Sequence, residues 1–157
     1  MKIILISVGN MREIPLKELA DRYSSRIPHY MPFEAIVIPD VAANKNATAE
    51  SRKEKEGEVI LSKISSGDFV VLFDEHGREM TSREFSSFID RKATTLSRNL
   101  IFIIGGPYGF SKSVYDRADS LLGLSKMTFT HEMARMLALE QIYRAMTILR
   151  GEPYHHD

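Results

Sequence analysis

Two short loops rich in small residues are the places where this sequence is best suited to bind a ligand. The first, Gly105-Gly106-Pro107, follows five apolar residues at 100–104, and the second spans residues 123–129. Glycines let a chain turn sharply and bring bare peptide groups close to a ligand. If the two loops end neighbouring strands, they form a cofactor pocket at the mouth of a sheet.

Several catalytic motifs are absent, and their absence narrows the chemistry of that pocket. No Lys-Ser/Thr pair follows the glycines as in a phosphate-binding loop, and no G-x-G-x-x-G, G-x-S-x-G or H-E-x-x-H pattern occurs. The sequence therefore lacks the motifs that usually support phosphoryl transfer, hydride transfer and serine hydrolysis. What remains is a pocket of backbone donors and acceptors with apolar walls, which suits a nucleoside-like ligand. A Gly-Gly-Pro turn that binds no ligand stays open as the alternative.

The composition predicts one ordinary domain over residues 1–157, with 43% apolar and 27% charged residues. The chain has no cysteine, which excludes disulfides, thiolate metal sites and a cysteine nucleophile. Lys plus Arg and Asp plus Glu each number 21, so no general positive field exists and a nonspecific nucleic-acid binder is disfavoured. No apolar run reaches the roughly 18 residues of a membrane helix, so we expect no membrane partner and a cytoplasmic location.

Strand and helix signals alternate along the chain. Buried strands are predicted at residues 3–8, 33–38, 69–73 and 100–104, with a polar segment at 74–77 after the third strand. Helices are predicted at 15–27, at 48–64, after the capping-box pair Thr81 and Glu84, after Ser111 or Ser113 through Val114, Ala118 and Leu121, and at 132–149. Continuous apolar strands separated by helices indicate an α/β fold with a mostly parallel sheet and helices on both faces.

The last predicted helix is apolar around much of its circumference. Its apolar residues are Met133, Met136, Leu137, Leu139, Ile142, Tyr143, Met146, Ile148 and Leu149. A surface helix needs only one apolar stripe, so this helix is either central to the domain or buried on two sides. We therefore expect a homodimer that covers the second side, with a core helix in a monomer as the alternative.

Six segments spread over the whole chain carry a family resemblance. They are MKIILISVG at 1–9, MPFE at 31–34, KEGE at 55–58, FIIGGPYGF at 102–110, LSKMTFTHEMARMLALEQIYRA at 124–145 and PYH at 153–155. On these motifs the chain resembles the RlmH family, the SPOUT-class methyltransferases that methylate N3 of a pseudouridine in 23S ribosomal RNA. Motifs of this length are highly specific, and the resemblance covers essentially the whole sequence.

The resemblance implies a bound S-adenosylmethionine, held bent by three loops in a C-terminal trefoil knot, and a homodimer that completes the active site. The matching cofactor-binding positions are Phe73, Gly105, Leu124, Ser125, Lys126, Met127, Thr128 and Phe129. Phe73 falls where many relatives have Leu, which should matter little if its backbone or apolar surface makes the contact. Methyl transfer from a sulfonium is an in-line displacement that mainly requires positioning, and it needs no metal.

Catalytic candidates come from the same resemblance, because N3 of a uracil-type ring carries a proton that must be removed or an anion that must be stabilised. Arg144, Tyr154 and His155 are the residues expected to do this. His131 and Arg135 are further candidates, with helix capping and ion pairing as their structural alternatives. A metal site at residues 155–157 is disfavoured, because adjacent side chains on extended backbone point in divergent directions.

The expected partner is 23S rRNA within the assembled ribosome, because balanced charge favours recognition of shape. The most basic local segment contains Lys45, Arg52, Lys53 and Lys55, interleaved with Glu50, Glu54 and Glu56. A solvated helix is at least as good an interpretation of that segment as an RNA-binding face. A methyltransferase for another RNA such as tRNA, and a nonenzymatic ribosome-associated module, remain the alternatives.

Overall fold

A computed structural model describes residues 1–40 and 46–156 of the chain. Within these residues the strands are β1 (Ile3–Val8), β2 (Phe33–Ile38), β3 (Phe69–Glu79), β4 (Leu100–Ile104) and β5 (Ser120–Gly123). The α-helices are α1 (Ile14–Arg26), α2 (Ala49–Ser62), α3 (Ser82–Thr95), α4 (Lys112–Arg117) and α5 (His131–Leu149). A short 3-10 helix, Ile27–His29, continues α1 and contains Pro28. No helix in the described ranges is long and apolar enough to cross a membrane.

The five strands form one sheet in the order β2-β1-β4-β3-β5, and every neighbouring pair is parallel. β1 and β4 are buried along their whole length at the centre of the sheet. Strands that are covered on both faces read as continuous apolar runs, which is why β1 and β4 could be assigned from the sequence. The predicted α/β fold with a parallel sheet is confirmed.

Side chains alternate between two cores, one on each face of the sheet. Leu5 and Phe102 point into a core that is covered by α1, α3 and α5. Ile6 and Ile103 point into the opposite core, where Ile60 of α2 and Val114 of α4 pack. The period of two along each strand sends neighbouring residues to opposite faces, so helices are needed on both. The carboxyl ends of β1, β3 and β4 meet at one edge of this sandwich.

Two assignments from the sequence were wrong in the same region. Asp74–Gly77 was predicted to lie outside the third strand, but β3 continues to Glu79, with a register shift between Phe73 and Arg78 where it pairs with β5. Leu121 was predicted to lie on a helix, but α4 ends at Arg117 and Leu121 belongs to β5. β5 has four residues and pairs only with β3, which is too short a run to show a strand period.

Helix starts were local enough to be predicted from side-chain spacing. Thr81 and Glu84 form a complete capping box at the start of α3, which confirms that prediction. Ser111, rather than Ser113, caps α4 by accepting a hydrogen bond from the backbone N–H of Val114. Thr130 caps α5, so the alternative of His131 as the cap is wrong.

Candidate functional site

A cleft of about 370 Å³ opens at the carboxyl ends of β4 and the short β5, beside the middle of β3. It is lined by Phe73, Asp74, Glu75, Ile104, Gly105, Gly106, Pro107, Tyr108, Gly109, Phe110, Tyr115, Leu124, Ser125, Met127, Thr128, Phe129, His131 and Ala134. Ligands of parallel sheets bind in crevices beyond the carboxyl ends of the strands, and clefts of this size accept small molecules. The two loops singled out in the sequence therefore line one cleft.

Two glycines in the loop that follows β4, Gly105 and Gly106, have little room for a side chain. A Cβ atom on Gly105 would lie 3.0 Å from the ring of Phe110, and one on Gly106 would lie 3.0 Å from a carboxylate oxygen of Glu56. The N–H of Gly109 donates to the carbonyl of Gly106 at 3.1 Å, and Gly109 has φ of +82°, which favours glycine. The loop therefore presents backbone groups to the cleft and packs its reverse side against the protein.

The second loop leaves β5 and forms the facing wall. The hydroxyl of Ser125 accepts a hydrogen bond from the N–H of Met127 at 3.0 Å, which tightens the turn. Met127 is 77% exposed, and its side chain extends along the rim. Seven of the eight predicted cofactor-binding residues line the cleft, and Lys126 lies outside that set. Phe73 stacks on Phe102 with ring centroids 5.7 Å apart, so the core fixes its orientation.

An acidic edge of the cleft was missed in the sequence. Asp74 accepts hydrogen bonds from the hydroxyl of Tyr115 and from the backbone N–H of His76, the latter at 2.9 Å. Burial, and then the carboxylate of Asp74, raise the pKa of Tyr115, so its phenol stays protonated and donates. Asp74 lies within β3 and directly follows the apolar run at residues 69–73, and that position was the signal that could have found it.

A second, smaller cavity of about 270 Å³ lies beside the first and shares Phe73, Leu124 and Phe129 with it. Its far side is formed by Leu137 and Gln141 of α5, among other residues. The second loop therefore separates two adjoining spaces, one facing the glycine loop and one facing α5.

The predicted catalytic residues form a cluster at the other end of α5. Arg144 donates from Nε and Nη2 to one oxygen of Glu140, at 3.0 and 2.6 Å, and Tyr154 donates to that same oxygen at 3.0 Å. Arg144 Nη1 lies 3.1 Å from Nδ1 of His155. The structure thus brings Arg144, Tyr154 and His155 together, and adds Glu140, which sequence reasoning did not single out.

The electrostatics of this cluster define which groups carry protons. Hydrogen bonding to Glu140 raises the pKa of Arg144, so the guanidinium stays charged. Burial raises the pKa of Tyr154, as do its hydrogen bonds with Tyr23 and Glu140, so its phenol stays neutral. A guanidinium can only donate, so Nδ1 of His155 is the acceptor and a neutral imidazole carries its proton on Nε2.

Within one chain the cluster and the cleft do not meet. His131 and Ala134, in the first turn of α5, line the cleft, whereas Arg144 lies ten residues beyond Ala134. A rise of 1.5 Å per residue separates the two positions by about 15 Å. Arg135 also lies outside the cluster: it donates to the carbonyl of Gly9 at 3.1 Å, and burial lowers its pKa.

Two basic residues of α2 contact neighbouring side chains, whereas Lys55 is exposed. Arg52 donates to the hydroxyl of Tyr108 at 3.0 Å, and Lys53 pairs with Glu50 at 3.1 Å. Lys45 lies outside the described residues. Among the residues that are described, no group of three or more His, Asp or Glu side chains is arranged to hold a metal ion. Asp157, part of the disfavoured metal site, also lies outside the described range.

Comparisons with known proteins agree over the whole chain. A family described as "Predicted SPOUT methyltransferase" matches residues 1–155. "Ribosomal RNA large subunit methyltransferase H" of Parabacteroides distasonis is 50% identical over 157 residues and 100% of both chains. The protein of that name from Christiangramia forsetii is 50% identical over 156 residues, which cover 99% of both chains.

Solved structures show the same fold. A probable rRNA-methyltransferase from Porphyromonas gingivalis matches with a TM-score of 0.51 at 12% sequence identity. The match covers 95% of this chain and 70% of that chain. At this identity the likeness concerns the fold alone.

Proposed function

We propose that this chain, which belongs to the SPOUT methyltransferase family, transfers a methyl group from S-adenosylmethionine to N3 of a pseudouridine in 23S rRNA. The observation that carries the proposal is full-length identity of 50% to proteins named ribosomal RNA large subunit methyltransferase H. The assembled ribosome is the proposed form of the substrate, because 21 positive and 21 negative side chains leave little charge for binding naked RNA. Such a substrate places the enzyme in the cytoplasm.

The cleft fits S-adenosylmethionine in shape and in charge. A Cβ at Gly105 would crowd the ring of Phe110 and one at Gly106 would crowd the carboxylate of Glu56, so these two positions offer only backbone groups to a ligand. Phe73, Leu124 and Phe129 supply apolar walls for a nucleoside, and the carboxylates of Asp74 and Glu75 face a ligand that carries two cationic groups. We further propose that the three loops around this cleft form the trefoil knot that is characteristic of the family.

Methyl transfer to N3 would break the S–CH3 and N3–H bonds and form an N3–CH3 bond. When bound, S-adenosylmethionine would supply the methyl group on a positively charged sulfur and leave as S-adenosylhomocysteine, while the N3 proton would pass to solvent water. Arg144 stabilises the negative charge that develops on the pyrimidine ring, since its guanidinium stays charged. His155 lies beside this guanidinium, with its Nδ1 3.1 Å from Nη1 of Arg144, and we propose that its imidazole contacts the target base. Glu140 and Tyr154 hold these two groups in place.

A homodimer is part of the proposal, because Arg144 lies ten residues, about 15 Å along α5, beyond Ala134, which lines the cleft of the same chain. Met133, Met136 and Leu137 on α5 remain partly exposed, and Met127 and Phe129 add apolar surface beside the cleft. In a dimer with a two-fold axis through this apolar surface, the surface of one chain packs against the same surface of the other chain. Such a pairing brings the C-terminal tail of one chain to the cofactor cleft of its partner.

The decisive experiment maps 23S rRNA modifications in cells that lack the gene. We expect one pseudouridine to lose its N3 methyl group, and the purified protein with S-adenosylmethionine to restore it on isolated ribosomes. A missing methyl group in tRNA instead would replace the substrate in this proposal. If calorimetry detects no binding of S-adenosylmethionine, the chain is a nonenzymatic member of the fold.

A further inference from the structure

The KEGE segment at residues 55–58 contributes no residue to the cleft lining or to the tail cluster, although it lies on α2 beside the glycine loop. Arg52 and Glu56 are four residues apart on α2, so they project from one face of the helix. Both reach the same turn of the cleft, Gly106-Pro107-Tyr108, from outside. This face of α2 therefore contacts and supports the loop.

Glu56 is the buried member of the pair. It is only 5% exposed, and both of its carboxylate oxygens lie within 3.2 Å of the place where a Cβ on Gly106 would stand. Burial and the nearby Asp40 raise its pKa, while a hydrogen bond from the backbone of Gly106 acts in the opposite direction. A buried carboxyl group is costly unless it is hydrogen-bonded, so Glu56 and the Gly106 backbone stabilise each other in this position.

Arg52 fixes the other side of the same turn. Its guanidinium donates to the hydroxyl of Tyr108 at 3.0 Å and lies 5.5 Å from the centre of the Tyr108 ring. A hydrogen bond and a cation–π contact together restrict both the position and the tilt of that ring. Tyr108 lines the cleft, so its orientation shapes the rim.

Gly57 lets α2 approach the end of the loop closely. A Cβ at this position would lie 2.4 Å from the hydroxyl oxygen of Ser111, the residue that caps α4. Gly57 is buried, so a side chain here would push α2 away from the loop. Three neighbouring features of α2 thus hold the loop at its start, at its tip and at its end.

We infer that Glu56 and Arg52 are positioning residues that hold the glycine loop in the shape that binds the methyl donor. Neither residue lines the cleft, so both act through Gly106 and Tyr108. The inference rests on the proposed function, because it takes S-adenosylmethionine as the ligand of this cleft. Preorganising a loop lowers the entropy that binding would otherwise cost, and loss of that order weakens affinity.

The test compares S-adenosylmethionine binding by calorimetry in the wild type, E56A, E56Q and the control E58A. Loss of a hydrogen bond to a buried carboxyl group predicts a Kd that rises at least ~10-fold in E56A. E56Q keeps an acceptor oxygen and is expected to stay within ~3-fold of the wild type, which distinguishes positioning from bulk packing. Glu58 is exposed on the same helix, about 200° around the axis from Glu56, so E58A should bind normally.

Kinetics on isolated ribosomes provide a second readout. E56A should raise the KM for S-adenosylmethionine while kcat at saturating cofactor changes less than ~2-fold, since the loop's shape is then imposed by ligand. If E56A fails to fold, R52A tests the same inference through a partly exposed side chain, with an expected Kd increase of at least ~3-fold from a lost hydrogen bond.

Three outcomes would overturn different statements. If E56A folds and binds S-adenosylmethionine with wild-type affinity, α2 does not position the glycine loop. If E56A is unfolded, wild-type affinity in R52A has the same meaning. Equal loss in E56A and E56Q also refutes this role of α2, because the hydrogen bond would not be the cause. Absence of binding by the wild type refutes the proposed function instead.

Discussion

Replacing Gly77 by alanine should disrupt the connection between β3 and β5. Gly77 lies where the extended part of β3 crosses β5, and an added Cβ would stand 2.4 Å from the carbonyl carbon of Leu122 and 2.5 Å from its nitrogen. Both neighbours are backbone atoms of a paired strand, so no side-chain rotation relieves the clash. β5 must therefore move away from β3.

The size of the effect follows from these distances. Ordinary contact begins near 3.4 Å, so the strands must separate by about 1 Å, and forced repacking of this kind costs about 1–3 kcal/mol. We expect about 2 kcal/mol, because alanine also restricts the unfolded chain slightly and offsets part of the cost. For a chain of this length that corresponds to a Tm lower by about 4–8 °C.

Calorimetric unfolding of G77A provides the measurement, with G67A as the matched control. A Cβ at Gly67 would lie 3.0 Å from the side chain of Arg98, which can move, so G67A should cost less than about 1 kcal/mol. Affinity for S-adenosylmethionine should fall in G77A alone, since β5 leads directly into the wall at Leu124. A Tm for G77A within about 2 °C of the wild type would refute the reasoning.

Three further changes test the fold, the buried acid and the dimer. Thr81→Ala removes the cap that accepts from the N–H of Glu84, and should lower stability by about 1 kcal/mol in urea unfolding. Burial raises the pKa of Glu56 above 4.5 in the folded state. The free energy of unfolding of the wild type should therefore fall relative to that of E56Q as the pH rises from about 4.5 through the pKa of the folded state. A difference in unfolding free energy that does not change with pH would contradict this. His155→Ala should abolish turnover and leave cofactor affinity nearly unchanged. A mixture of the His155→Ala variant with a Gly105→Val cleft variant should recover about a quarter of wild-type activity. Half of the dimers then contain one chain of each variant, and each of these dimers has one intact site out of two. No recovery would mean that an active site does not combine residues of two chains.

The sequence could predict those parts of the fold that depend on local signals. β2 and β4 were assigned with their observed bounds, because their apolar runs are bounded by turns. The capping box of α3 was equally local, since it needs only two side chains at a fixed spacing. The glycine loop was found because small residues followed a predicted strand, whereas the strand before the second loop was predicted to be part of a helix.

The remainder depended on contacts between distant residues. β5 is a strand only because β3 offers it a partner about 50 residues earlier in the chain, and a run of four residues has no period of its own. Glu56 looked like one charge among several on a solvated helix until the fold placed it beneath Gly106. Glu140 likewise looked like an ordinary helix residue in the sequence. Its hydrogen bond with Tyr154 forms only because the C-terminal tail folds back onto α5.

The two halves of the proposed active site lie on one stiff element, and this placement is the reason why we propose that a second chain completes the site. The first turn of α5 lines the cleft and its fourth turn carries Arg144, so no hinge within the helix can bring the two together. The tail is not free to swing across the gap either: Tyr30 donates to Glu152 at 2.7 Å, and Tyr154 contacts both Tyr23 and Glu140. A symmetric pair of such chains needs no internal motion, because the axis that places one tail beside the partner's cleft places the other tail in the same way.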